Sequence, residues 1–317
     1  MRDLGRRKGI TMMLLATFFW GFMGISNRFL NQVNLHSVDV AFVRSISGAF
    51  FTAIFLLITN RAAFKVDLKG FLFCALYGII NYSIGISLYS LAVERIPIGI
   101  ATVLMFSNPV WVTFMNYLFW GEKISMKKMI VIGTCVFGCM CIIDVFSTGG
   151  KNLDLIGIIA GVLNGITFAL QIVMPRFVER TVSKDSILLY GFLCSTVCLL
   201  FFEDVPRLIS NIVTSSNPLF YFANILSIGL FATFLGNTFY VKSTKYIGTS
   251  LPSMMVALEP TFATILAYFI FGESMKPIQI LGTFIVIGSV IALEINFDAF
   301  KKKNKKIGCI ASKKTIN

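Results

Sequence analysis

Two stretches decide how this chain is built. FSNPVWVTFMNYLFWGE runs from Phe106 to Glu122, and ALEPTFATILAYFIFGE runs from Ala257 to Glu273. Laid over one another at an offset of 151, Asn108-Pro109 meets Glu259-Pro260 and Gly121-Glu122 meets Gly272-Glu273. The same offset extends upstream without a gap: Gly78 meets Gly229, Gly85 meets Gly236, Tyr89 meets Tyr240, and Pro97 meets Gly248. Near the start of each half the offset is 148, where Gly9-Ile10 meets Gly157-Ile158 and Arg28-Phe29 meets Arg176-Phe177. Residues 1–148 and 152–298 therefore read as two copies of one unit, followed by a basic tail over 299–317.

The chain is 56% hydrophobic and 14% charged, with 32 phenylalanines and a mean hydropathy of +0.81. A water-facing surface needs more polar residues than that, so a bilayer must take the place of the missing interior. A membrane-crossing helix needs about 20 mostly apolar residues. Such runs fall near 9–30, 38–58, 70–92, 97–119, 128–147, 154–175, 186–202, 219–241, 249–271 and 276–296. The expected fold is an all-α polytopic membrane protein with ten transmembrane helices.

Charge supplies an independent check, because Lys and Arg accumulate on the cytoplasmic side of a membrane protein. With ten spans and the N-terminus inside, the outer segments hold Arg28, Arg95, Lys151, Arg207 and Lys276. Arg44 lies inside a span, and every other Lys and Arg falls in the inner loops or the two tails. The net charge of +13 is thus orientation charge, and nucleic acid is not an expected partner. N- and C-termini are expected in the cytoplasm and the protein in the plasma membrane. The apolar run after Arg6, Arg7 and Lys8 reads as a retained first span. Six of the seven cysteines lie in apolar runs, the one histidine is His36, and no Cys/His metal spacing occurs. No metal or cofactor is expected.

Five spans per copy is an odd number, so the two halves must sit in the membrane with opposite orientation. Inverted repeats provide the two related states of an alternating-access carrier, with substrate held near the midplane between them. The paired P-x(11)-GE endings, Trp20-Gly21 in the first span and Arg44 in the second resemble the EamA-type drug/metabolite transporters over nearly the whole chain. The resemblance implies two inverted five-helix repeats around a central cavity and a secondary transporter that exports or imports small metabolites such as amino acids, with export the favoured direction. A passive channel is the first alternative, because Asn108-Pro109-Val110 is similar to the Asn-Pro-Ala turns of water channels. An intramembrane enzyme is the second, although no HExxH, GxSxG or aspartate pair is present.

Pro109 and Pro260 each lack an N–H and disturb the carbonyl four residues back, at Met105 and Val256, so both are expected to kink their helices. Glu259 is a carboxyl at mid-membrane, where a charge costs ~2.5–3.5 kcal/mol or more. Two readings stand: it binds a proton or substrate, or it hydrogen-bonds the kinked backbone as its mate Asn108 would. Arg44 is its most obvious partner for an ion pair or coupling, with snorkelling to the outer face as the alternative. Trp20, Asn81, Tyr82, Tyr89, Asn108, Trp111, Asn237 and Tyr240 are further cavity candidates. Asn164 and Gln171 join them, lying off the small-residue stripe of Gly157, Gly161, Gly165 and Ala169. That stripe is expected to pack a neighbouring helix closely. Glu122 and Glu273 are expected to bond local backbone or nearby lysines. The expected partners are a small metabolite, the lipid bilayer and, as a candidate, a second copy of the chain.

Overall fold

A computed structural model describes residues 2–148 and 154–294. The proposed tail over 299–317 lies outside the described residues. The described residues are 84% helical, and no strand occurs among them. The first half comprises α1 (Arg2–Asn31), α2 (Ser37–Thr59), α3 (Leu68–Gly78), α4 (Gly85–Arg95), α5 (Ile98–Met105), α6 (Asn108–Trp120) and α7 (Met126–Ile142). The second comprises α8 (Leu155–Val173), α9 (Lys184–Leu200), α10 (Val205–Val213), α11 (Pro218–Ser227), α12 (Gly236–Ile247), α13 (Ser250–Met255), α14 (Leu258–Phe271) and α15 (Pro277–Glu294). Asp67, Ser125, Asp154, Ser183, Asp204 and Asn217 cap the helices they precede by accepting from a backbone N–H of the first turn.

Among the described residues seven segments are long and apolar enough to cross a membrane, or eight if the bent pair α9 and α10 is one span: Leu4–Asn31, Val38–Thr59, Leu68–Arg95, Ile98–Trp120, Leu155–Arg176, Pro218–Ile247 and Ser250–Phe271. The expected number was ten. Three spans fall short on length. α7 and α9 have 17 residues each, and the apolar part of the last helix, Pro277–Ala292, is also short. α9 and α10 meet at 95°, where Glu203-Asp204 precedes Pro206 and interrupts the apolar run.

The halves exchange helices. α1 packs on α12 and α14 of the second half, and α8 packs on α4, α5 and α6 of the first. α2 pairs with α9, and α7 with α15. This is the pattern that a two-fold relation between repeats generates, because each contact has a mate in which the halves trade roles. Small residues let the backbones approach. A Cβ at Gly78 would lie 2.0 Å from the carbonyl oxygen of Gly191, so nothing larger fits between α3 and α9. Gly161 and Gly165 take Leu104 of α5 in the same way, at 2.7 and 2.6 Å from an added Cβ. The stripe on α8 is buried packing.

Both copies carry the same irregularity. Between α3 and α4, residues Ile79–Ile84 form a π-helix, and between α11 and α12 so do Ile228–Leu235. The repeat offset superposes the two. A π-turn widens the helix and detaches a backbone group from its usual partner, and such turns concentrate at functional positions.

Candidate functional site

The proline sites show how one motif serves two purposes. The fourth span breaks at Phe106–Ser107 into α5 and α6, and the ninth breaks at Val256–Ala257 into α13 and α14. In the first copy Asn108 Nδ2 donates to Met105 O at 3.4 Å, the carbonyl that Pro109 leaves without its helical N–H. In the second copy the corresponding carbonyl, Val256 O, accepts from the backbone N–H of Glu259 at 2.9 Å. The Glu259 carboxyl therefore has no such duty. It sits in the first turn of α14, where the helix dipole favours an anion, and accepts no hydrogen bond from any described residue.

Arg44, on α2, also stays inside the protein. Its Nε donates to Thr233 Oγ1 at 3.3 Å, within the second π-helix. The charges of Arg44 and Glu259 interact, and Glu259 also acts on Tyr89. No N–O distance between Arg44 and Glu259 falls within 4.0 Å, so the two are not a contact ion pair.

Next to Arg44, through Thr233, lies a polar girdle built from both halves. Asn237 Oδ1 accepts from Tyr82 OH and from Gln171 Nε2, each at 3.0 Å. Gln171 Nε2 also reaches Tyr82 OH at 3.4 Å, and Asn237 Nδ2 donates to Thr233 O at 2.8 Å. Trp20 stands beside it with its ring 5.3 Å from Tyr240 and 6.3 Å from Phe168, the residue that matches Trp20 in the repeat. Tyr240 OH is buried without a hydrogen-bond partner.

The remaining candidates serve local contacts. Asn81 Nδ2 donates to Tyr77 O at 2.7 Å, and Asn164 Nδ2 to Gly85 O at 2.7 Å, at the exit of the π-helix. Tyr89 OH meets Thr102 Oγ1 at 3.0 Å, and Trp111 Nε1 donates to Ser107 Oγ at 3.3 Å. The acceptor oxygens of Asn81, Asn108 and Asn164 are buried and unpaired.

The helix-end glutamates differ from expectation. The ion pairs seen among the described residues are with arginine. Glu122 pairs with Arg176 Nη1 at 2.6 Å, and Glu273 with Arg28 Nη1 at 2.5 Å. Arg28 and Arg176 are repeat mates, as are Glu122 and Glu273, so each bridge joins the first span of one half to the GE ending of the other. The guanidiniums also lie over mated rings, Arg176 over Trp120 at 4.2 Å and Arg28 over Phe271 at 5.2 Å. The GE glycines explain the motif's first letter: Gly121 and Gly272 close α6 and α14 at φ +64° and +68°, a left-handed turn that glycine adopts without strain. One bridge is reinforced. Arg176 Nη1 also donates to Asn116 Oδ1 at 3.3 Å, and Asn116 Nδ2 donates to Thr249 and Ser250 at 3.0 and 3.1 Å. The repeat mate of Asn116 is Ala267, so the other bridge has no such backing.

These exchanged contacts, the paired breaks at proline and the matching glycine-capped endings can be compared with known proteins. The sequence profile of the EamA-like transporter family matches residues 7–144 and again residues 155–294. The chain belongs to this EamA-like transporter family. It is 28% identical to a transporter of Clostridium kluyveri described as uncharacterized, over 96% of this chain and 99% of that one. It is 22% identical to an uncharacterized transporter of Archaeoglobus fulgidus, over 85% of this chain and 91% of that one. An uncharacterized inner membrane transporter of Salmonella typhimurium, YicL, is 19% identical over 92% and 96% of the two chains. A solved crystal structure shares the fold with a TM-score of 0.72, at 12% identity, covering 92% of this chain and 97% of its own. A multi-pass membrane protein of the EamA type is thereby shown, with a role in transport.

Proposed function

We propose that this EamA protein is a secondary carrier for small zwitterionic metabolites, amino acids among them, that works by alternating access and exports its substrate across the plasma membrane. Arg44 and Glu259 support the substrate class. They are a cation and an anion on different halves, both within spans, electrostatically coupled yet not in contact. Charges kept in a membrane interior at this cost mark a pathway. A zwitterion placed between them offers a carboxylate to Arg44 and an ammonium to Glu259, and Trp20 and Tyr240 offer flat apolar faces to its side chain.

The two exchanged bridges support the transport cycle. Arg176–Glu122 and Arg28–Glu273 stand at opposite ends of the bundle, and inverted repeats interconvert by opening one end while the other closes. In this reading α7, α9 and α15 complete ten spans in two inverted five-helix halves, residues 1–148 and 152–298, with both termini and the 299–317 tail cytoplasmic. The chain acts as a carrier and not as an enzyme.

The test is a screen of amino acids in proteoliposomes, with and without a pH gradient. Saturable uptake with counterflow is expected, and Arg44→Gln or Glu259→Gln should each reduce it at least tenfold. Ohmic, non-saturating flux would overturn the carrier. Gradient-driven uptake left intact by Glu259→Gln would remove that residue from the mechanism.

A further inference from the structure

The loop that joins α2 to α3 meets the turn before α9 and the first turns of α9 itself, so the two halves touch on the face that carries most of the Lys and Arg. The junction is tightly bonded. Ser186 Oγ donates to Ala63 O at 2.7 Å, and Tyr190 OH donates to Phe64 O at 2.8 Å. A Cβ on Gly70 would lie 2.9 Å from the Val182 side chain. A cavity of about 230 Å³ opens beside this junction, with Ala63, Val182 and Ser186 buried in its wall. Asn60, Lys65 and Asp67 also line it, and all three are exposed. Asp67 Oδ1 accepts from the Gly70 backbone N–H at 3.2 Å, while Oδ2 accepts from no described residue. Among the described residues neither Lys65 nor Asp67 joins an ion pair, and the Asn60 side chain makes no hydrogen bond.

The cavity therefore offers an open cation and an open anion together, on a wall held by both halves. Its rim is apolar. Ile58, two residues before Asn60, is 80% exposed, and Leu68, directly after Asp67, is 73% exposed. In a membrane protein such side chains end in the hydrocarbon layer, so the cavity stands where lipid chains give way to headgroups. We propose that it holds the headgroup of a zwitterionic phospholipid with a primary ammonium. The phosphate accepts from Lys65 and the Asn60 amide, the ammonium donates to Asp67 Oδ2, and the acyl chains run along Ile58 and Leu68.

The charge arrangement selects among lipids. Anionic headgroups gather at basic loops in general, but here a second negative charge would face the Asp67 carboxylate. A quaternary ammonium carries no N–H to donate, and no aromatic ring lines the cavity to receive it through its π face. Only a headgroup with both a phosphate and an N–H-bearing cation answers Lys65 and Asp67 at once.

The test is native mass spectrometry of the full chain, stripped of lipid in detergent and offered phosphatidylethanolamine, phosphatidylcholine or phosphatidylglycerol with identical acyl chains. The first phosphatidylethanolamine should bind about fivefold tighter than either of the others, the worth of one exposed charge contact. Asp67→Asn keeps the helix cap, because Asn also accepts from a backbone N–H, and should erase the preference over phosphatidylcholine. Lys65→Gln should weaken phosphatidylethanolamine by about fivefold. Lys69→Gln removes an exposed lysine that does not line the cavity and should change nothing. Glycerophosphoethanolamine, the same headgroup without acyl chains, should not displace the lipid at equal concentration. Equal affinity for the three lipids, tighter phosphatidylglycerol, a preference that survives Asp67→Asn, or displacement by the chain-free headgroup would overturn the proposal. The readout is binding and not transport, so a failure of the carrier reading leaves it unaffected.

Discussion

The two exchanged bridges are chemically alike but unequal, and their inequality can be measured. Arg176 and Glu122 are 31% and 38% exposed, while Arg28 and Glu273 are 53% and 50% exposed. A half-exposed ion pair contributes ~0.2–1 kcal/mol, and a cation over an aromatic ring at such a site adds ~0.5–1 kcal/mol. The Arg28 bridge holds its end with roughly 1 kcal/mol on those figures. Arg176 has the tighter ring contact and also donates to Asn116, a bond to a charged group that brings its total to roughly 2–3 kcal/mol. At about 1.4 kcal/mol per factor of ten, removing Arg176 should increase opening of its end about 30–140-fold, and removing Arg28 about fivefold. Hydrogen–deuterium exchange in nanodiscs reads this directly. Arg176→Ala should accelerate exchange over 116–122 and 174–178, and Arg28→Ala should do so less over 26–31 and 271–275. The charge-swapped pair Arg176→Glu with Glu122→Arg should recover most of the protection, because the attraction survives the exchange of partners. Equal effects of the two alanine variants, or no recovery in the swap, would refute the assignment of the bridges as unequal closures.

Other residues give sharper contrasts. Asn108→Leu strands Met105 O and should lower thermal stability by ~1 kcal/mol, whereas Glu259→Gln, which leaves the backbone bond to Val256 O in place, should melt at or above the wild-type temperature. Gly78→Ala drives a Cβ into Gly191 and should cost ~3 kcal/mol or more, visible as loss of monodisperse protein. Gly133→Ala meets nothing within 4 Å and should be neutral in the same chromatography. Stability should also depend on pH through Glu203. Its folded value of about 7 lies above the ordinary glutamate value of 4.5, so the folded protein binds the extra proton between those limits and stability falls as pH rises through that window. Melting at pH 5 and pH 8 should show that difference, and Glu203→Gln should shrink it.

The repeat was legible because it is written twice at a constant offset, and the charge asymmetry tied that repeat to a membrane. The span number was less secure for a physical reason. α7 carries Lys127 and Lys128 in its first turn, and α9 ends where Glu203-Asp204-Val205-Pro206 turns the chain, so length and apolarity alone do not mark them. The exchanged bridges were present in the alignment as Arg28 with Arg176 and Glu122 with Glu273. Their pairing was hidden, since Arg28 and Glu273 are 245 positions apart and meet only once the halves interlock. The π-helices leave no compositional trace beyond the glycine pairs Gly78/Gly85 and Gly229/Gly236 at their borders. Glu203 escaped notice because a short interfacial loop usually exposes its carboxylates, whereas here the side chain is 1% exposed beside Arg207, which also pairs with Asp39.

The exchange of α1 into the second half has a consequence for biosynthesis. α1 leaves the ribosome well before its neighbours α12 and α14, and Arg28 waits for Glu273 throughout. Until then Phe18, Phe19 and the Gly21 surface that receives Phe262 have only lipid against them. The native bundle thus closes only once α14 has been made, and a chain interrupted before it presents α1 unmated to whatever surveys the membrane for incomplete products.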